Sequence, residues 1–330
     1  MSTSTAKRID FIDLAKGICI FMVVIGHCNV PINIPGYEIV RMPLYFILSG
    51  LFFKTYKNEG TSLITKKVNK ILVPFLFFYL IGNLTYYGIK FIAPEYLVTR
   101  ARGIGDLFTN RQFFNGPIWF LLSLFWCNIY FYIIVTLAEK EITRILIAAS
   151  VGLIGWWIGQ KNIFVPLFMD VSMTALPFFV LGYYLKKSNI LYPNRWDRYN
   201  ICFAIAFWGI AFILTATTRY RLSLHYNKIV GISTYFIAVA SVLSILFLCK
   251  SIKRLPFFSY IGRYSIILLC AHHLIYRPVA VAFKATEIDF LNNSYAVAVV
   301  TMLLSTLCIP LCLKYIPWFV AQKDIIKKAL

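Results

Sequence analysis

Ten apolar stretches, each close to the length of a membrane span, run through this chain of 330 residues. Crossing a bilayer takes roughly 20 mostly apolar residues. The stretches lie at approximately 11–28, 41–56, 71–91, 118–137, 143–159, 171–185, 199–217, 229–249, 261–282 and 295–314. The chain is 60% hydrophobic and only 14% charged, whereas a water-soluble domain holds roughly 45–50% apolar and about 25% charged residues. A soluble fold is excluded. In lipid every backbone polar group must be satisfied within the protein, which leaves helices or a closed barrel, and runs of this length favour helices. The expected fold is therefore all-α, a polytopic membrane protein of about ten transmembrane helices, forming a single domain over 1–330. No internal repeat and no Gly/Ser/Pro-rich linker divides it.

The second stretch is the shortest in apolar residues and holds Pro43, Ser49 and Gly50. It is expected as a broken or re-entrant helix, tolerated only where protein covers the backbone. The N-terminal stretch has a basic start but no small-x-small cleavage site, and Asp10, Asp13 and Lys16 interrupt its approach. It reads as an uncleaved first helix rather than a signal peptide.

Lys and Arg outnumber Asp and Glu by 33 to 13, a formal charge of +20. In a soluble protein that surplus points to nucleic acid. In a membrane protein it first reports topology, because basic residues collect in cytoplasmic loops. With a cytoplasmic N-terminus, inward loops and tails hold 20 basic residues and outward ones 11. Both termini are therefore expected in the cytoplasm of a cell whose inner membrane carries the protein, with no nucleic-acid partner. The one loop long enough to carry structure is the outward segment near 92–117, with Arg100, Arg102 and Arg111. All eight cysteines sit in or beside apolar runs without CxxC or zinc-type spacing, so they read as packing residues and no metal is expected.

Intramembrane polar residues are costly unless they are paired or line a cavity, so they mark function. Lys16 and His27 share the first stretch. Eleven residues at about 1.5 Å each put them roughly 16 Å apart, close to three turns and so on nearly one face. Lys16 can snorkel to the interface or bind a ligand. His27 can be a satisfied polar residue or a group that moves protons near neutral pH. Further along, Arg41-Met-Pro-Leu-Tyr-Phe-Ile-Leu-Ser49-Gly50 permits close backbone approach, and Lys66-Lys67-Val-Asn-Lys70 places cations beside the third stretch, where they can hold phosphates or anionic lipid. His272 and His273 are adjacent on one helix and point apart. His225 falls in an outward loop and reads as solvated.

In order along the chain, these segments resemble one family. Asp10-Phe-Ile-Asp13-Leu-Ala-Lys16-Gly17 through Val24-Ile-Gly26-His27, followed by Met42-Pro43-Leu-Tyr-Phe-Ile-Leu-Ser49-Gly50, is similar to the opening of the acyltransferase 3 family of membrane acyltransferases. Lys67 and Lys70 before Pro74 resemble its paired basic motif, Gly116-Pro117-Ile-Trp119-Phe120-Leu121 its tryptophan segment, and Tyr260-Ile-Gly262-Arg-Tyr-Ser265 through His272 its late Gly-Ser-His segment. The resemblance is closest to the fucose 4-O-acetylase-like sugar O-acetyltransferases. Two departures stand out: Arg41 occupies a position where histidine is common, and no Glu follows Trp119 in the pattern of another branch.

The resemblance implies transfer of an acyl group, most often acetyl, from cytoplasmic acetyl-CoA to a hydroxyl of a carbohydrate or glycolipid acceptor in the cell envelope. It implies Lys16, Lys67 and Lys70 on CoA, His27 and His272 as catalytic groups, and Arg41, Ser49 and Trp119 on the acceptor. A glycolipid transporter or flippase is the competing reading from another class. It is disfavoured because every Asp and Glu falls near a span end or in a loop, while proton-coupled transporters keep a carboxylate inside the membrane.

Overall fold

The computed structural model describes residues 10–32, 34, 37–54, 60–92, 94, 101–109, 111–188, 190–285, 288 and 293–326. Lys7, Arg8, Lys57, Arg100, Lys327 and Lys328, which enter the charge argument, lie outside the described residues. The chain forms helices α1 (Asp10–His27), α2 (Tyr37–Leu51), α3 (Gly60–Lys67), a π-turn at Val68–Leu72, α4 (Val73–Ile92), a short α5 (Asp106–Thr109), α6 (Trp119–Leu137), α7 (Glu141–Gln160), α8 (Met169–Lys187) and α9 (Asn200–Thr217). A two-stranded antiparallel hairpin follows, β1 (Arg221–Ser223) and β2 (Lys228–Val230), and then α10 (Ser233–Ile252), α11 (Pro256–Arg263), α12 (Ser265–Ala285) and α13 (Ser294–Tyr315).

Among the described residues eight helices are long and apolar enough to span a membrane, and they account for eight of the ten expected stretches. The first two stretches are helical but fall short of that standard. The helix α1 carries Asp10, Asp13 and Lys16, and α2 has 15 residues. At about 1.5 Å per residue, α2 is shorter than the roughly 30 Å hydrocarbon core. It runs unbroken through Pro43, so the expected break is absent. The third stretch is longer than expected, because α3, the π-turn and α4 form one continuous helical run over Gly60–Ile92. The ninth is split, with α11 and α12 meeting at Tyr264.

Lipid-facing and interior helices separate by burial. The spans holding α8 and α6 are 67% and 61% buried over their apolar windows, against 17% for the span holding α9. Helices α1 and α2 are held in the interior by glycines. A Cβ on Gly17 would sit 1.8 Å from the Phe258 carbonyl oxygen of α11, and one on Gly262 would sit 1.8 Å from that of Asp13. Gly50 and Gly182 make the same contact between α2 and α8, against the Phe179 and Ile47 carbonyls. Without a hydrophobic drive between helices in lipid, such close backbone approach is what binds them. Tyr37 and Tyr45 add hydrogen bonds from α2 to the α1 carbonyls of Met22 and Lys16, at 2.6 and 3.1 Å. All eight cysteines are unpaired, and five are buried.

The basic loops gather at one end. Lys187 pairs with Glu141, Lys250 pairs with Asp197 at 2.7 Å, and the segment after α13 returns there to meet Lys70. At the other end lie Arg111 and the hairpin, which was not expected as ordered structure.

Candidate active site

Two cavities lie along α1, one at each end. The first, about 230 Å³, is lined by Lys16, Ser49, Lys67 and Lys70 among apolar groups including Tyr45, Phe120 and Leu269. Lys16 places its ammonium 5.3 Å from the Phe52 ring centre. Lys67 has no anionic partner among the described residues. Lys70 is committed: its Nζ donates to the Ala321 carbonyl and pairs with Asp324, both at 2.9 Å. The neighbouring Asn69 accepts from the backbone N–H groups of Ile325 and Ile326, so the π-turn docks the chain's C-terminal segment. Lys70 thus serves the wall as well as the lumen.

The second cavity, about 590 Å³, is lined by His27, Trp119, His225, His273 and Arg277, among others. Its wall and that of the first are close neighbours. Trp119 faces one and Phe120 the other. Leu269 and His273, one helical turn or about 6 Å apart on α12, likewise divide between them. Tyr45 and Phe120, with ring centres 5.6 Å apart, belong to this septum.

The histidine cluster has a defined hydrogen-bond order. His27 Nδ1 is 2.8 Å from the Val23 carbonyl and 3.4 Å from His272 Nε2. His272 Nδ1 is 2.7 Å from the Leu268 carbonyl. A carbonyl only accepts, so each Nδ1 carries the proton, and the His27 N–H is shared with the acceptor Nε2 of His272. The Nε2 lone pair of His27 is thereby directed away from its own helix backbone. His273 Nδ1 donates to the Phe114 carbonyl at 3.1 Å.

His272, the residue favoured from the sequence, is fully buried and touches His27, while its neighbour His273 takes the cavity wall. Both adjacent histidines thus reach His27, with ring centres 5.1 and 5.8 Å from it. Ser49 lies in the lysine cavity and Trp119 in the histidine cavity, so these two expected acceptor residues are not brought together. Arg41 lines neither: its guanidinium stacks 5.1 Å from the Tyr37 ring centre, beside Gly26.

His225 is not the solvated loop residue expected. Its ring lies parallel to Trp119, centres 5.5 Å apart at 7°, and its Nε2–H donates to the Arg111 carbonyl. Burial pushes its pKa down to about 4, against the upward pull of that hydrogen bond and with the nearby Arg111 charge adding to the fall. A buried ion pair underlies it. Asp170, in the first turn of α8, is fully buried and accepts from Arg111 Nη2 at 2.6 Å and from Asn227 Nδ2 at 2.8 Å. The two residues entering α8, Leu167 and Phe168, have φ of 60° and 58°. Left-handed backbone at bulky residues is strained and is retained where surroundings over-determine it. Here it presses Phe168 against Trp119 and His225, with centres 5.8 and 5.6 Å away. The hairpin loop, the 111–119 segment and the start of α8 are thus tied into one rigid rim.

His225, His273 and Arg277 were not expected in the site. The one sequence signal for Arg277 was an arginine four residues after a histidine inside an apolar helix. For His225 there was none, since its hydrogen-bond partner Arg111 lies 114 residues away.

A bundle of apolar helices with a buried imidazole cluster beside one of two cavities defines a multi-pass membrane protein with a histidine-lined site. Comparison with known families then places it. The family model described as an acyltransferase domain matches residues 9–315, and the chain belongs to the acyltransferase 3 family, as the opening motifs predicted. Membership makes it a membrane acyltransferase. No curated protein and no solved structure matches the chain.

Proposed function

We propose that the protein transfers an acetyl group from acetyl-CoA, held at the lysine cavity, to a hydroxyl of an envelope carbohydrate or glycolipid in the histidine cavity, as fucose 4-O-acetylase-like enzymes do. The observation that carries this reading is that one helix presents a lysine to one cavity and an imidazole with a free Nε2 to the other. CoA is a polyanion on a long thin arm. The ammonium groups of Lys16 and Lys67 suit its phosphates, and the apolar wall of the same cavity suits the arm. On this reading the lysine end faces the cytoplasm of the inner membrane.

In the reaction, His27 Nε2 takes the proton of the acceptor hydroxyl as that oxygen attacks the thioester carbonyl. The C–O bond forms, the C–S bond breaks, and the CoA thiolate leaves and recovers the proton from the His27 imidazolium. His272 Nε2, accepting from His27 Nδ1–H, disperses the positive charge in the meantime.

General base catalysis contributes typically 10²–10⁴-fold. His27→Ala, if folded and inserted, is expected to lose at least 100-fold in labelled acetyl transfer by membranes or purified protein. Normal transfer by that variant would overturn the assignment. In the cell, deleting the gene should remove one ester signal from the envelope polysaccharide by NMR.

A further inference from the structure

We infer that the groove between α8, α9 and α10 holds one chain of an anionic phospholipid, whose phosphate is met by Arg219, Arg221 and Lys228 at the hairpin. The groove is a third cavity, about 510 Å³, walled by Phe178, Leu181, Phe207, Leu214 and Phe236 among others. Few polar groups line it. Ser233 stands at its α10 end, and the Tyr235 hydroxyl is spent on the Thr174 carbonyl at 2.9 Å. The α10 wall runs from Ser233 to Ala240, about 10 Å at roughly 1.5 Å per residue. That is most of one leaflet of a hydrocarbon core roughly 30 Å thick. Ile210 on α9 and Phe236 on α10 are exposed, so the slot opens sideways to the bilayer and suits a hydrocarbon chain.

The charge lies at one mouth of the groove. A Cβ on Gly231, which joins the hairpin to α10, would meet the Arg219 carbonyl at 3.2 Å and Ser233 Oγ at 3.1 Å. The base of the hairpin therefore sits at the groove's edge. Within the hairpin, Arg221 lies opposite Val230 and Ser223 opposite Lys228. Opposed residues point to the same face, so Arg221 and Lys228 share one, as diagonal neighbours about 7–8 Å apart. Ile229, on the other face, is buried. Arg219, Arg221 and Lys228 are exposed, and none of them forms an ion pair among the described residues. No Asp or Glu occurs between Asp197 and Glu287, and Asp197 is committed to Lys250 at the far end of α10. Three cations without a local acid, above an apolar slot, match a lipid that joins a phosphate to a chain. A second copy of the protein suits the face less well, since a two-fold dimer through it would set the same cations against one another.

The test uses the full chain in detergent, with native mass spectrometry reading the binding of dioleoylphosphatidylglycerol against dioleoylphosphatidylcholine, which has the same chains and no net charge. The wild type is expected to hold one phosphatidylglycerol about tenfold or more tightly than phosphatidylcholine. Arg219→Gln combined with Arg221→Gln should level most of that preference. Lys253→Gln combined with Arg254→Gln, an equal change of charge at the other end of α10, should leave it intact. Ile210→Trp, on the exposed groove wall, should weaken both lipids, and glycerophosphoglycerol, the headgroup without chains, should not compete. Equal binding of the two lipids by the wild type would overturn the inference. So would a preference that survives the hairpin substitutions or is lost equally with the distal pair, binding unchanged by Ile210→Trp, or displacement by the bare headgroup. A dimer that Ile210→Trp dissociates, with no lipid retained, would give the face to a second copy instead. None of these measurements involves acetyl-CoA, so failure of the acyl-transfer reading would leave this one standing.

Discussion

His27 and His225 show how one residue type is given two roles by its hydrogen bonds. His27 spends its Nδ1 proton on Val23 and His272 and keeps a lone pair for the cavity. His225 spends its Nε2 proton on Arg111 and gives its face to Trp119. Because burial lowers the folded pKa of His225 to about 4 from an ordinary 6.5, the unfolded chain takes up a proton between those values that the folded chain refuses. Stability contributed here is therefore complete above pH 6.5 and lost as pH falls toward 4. Relative to His225→Phe, which keeps a ring against Trp119 but cannot titrate, the wild type should lose roughly 3–6 °C of melting temperature across that window. A parallel pH dependence in the two proteins would show that His225 is not the group responsible. Lys16 and His27 were legible from the sequence because a single helix relates them by its own pitch. The partners of His225 and Arg277 were not, because the contacts that define them join distant segments and leave no periodicity.

At the scale of elements, the helices were legible where apolar length alone decides. They were not where the helix is interior and carries charge, as α1 does, or breaks, as α11 and α12 do. The short α2 and the charged α1 are held by glycine-mediated crossings rather than by a lipid-matched length. Gly17→Ala should push α1 off α11, since the new Cβ would lie 1.8 Å from a backbone oxygen that cannot step aside. Gly209, on lipid-facing α9, has nothing within 4 Å of an added Cβ, and Ala is the better helix former by up to about 1 kcal/mol. Melting in detergent should therefore fall by several degrees for Gly17→Ala and hold or rise for Gly209→Ala. If both variants melt as the wild type does, the crossing is looser than described. The α11–α12 break and the hairpin were not legible in the sequence, and both pack on elements far away in the chain, α11 on α1 and β2 on α7.

At the scale of the whole molecule, the charge surplus that first suggested nucleic acid sorts by end. Lys187, Lys250 and Lys70 are at one pole, and Arg111 with the hairpin is at the other. The side each pole faces is open to direct test. In a Cys202→Ser background, an impermeant maleimide should label Lys161→Cys, at the hairpin end, on intact cells, and Ser188→Cys only after permeabilisation. The reverse pattern would invert the proposed donor and acceptor sides. The septum of Tyr45, Phe120 and Leu269 has an electrical meaning as well. Two water-filled vestibules that merged would form a pore, and a pore lined by imidazoles would leak protons down the cell's gradient. A partition one helical turn thick keeps them apart, so the membrane stays an insulator although a cavity opens at each end of α1.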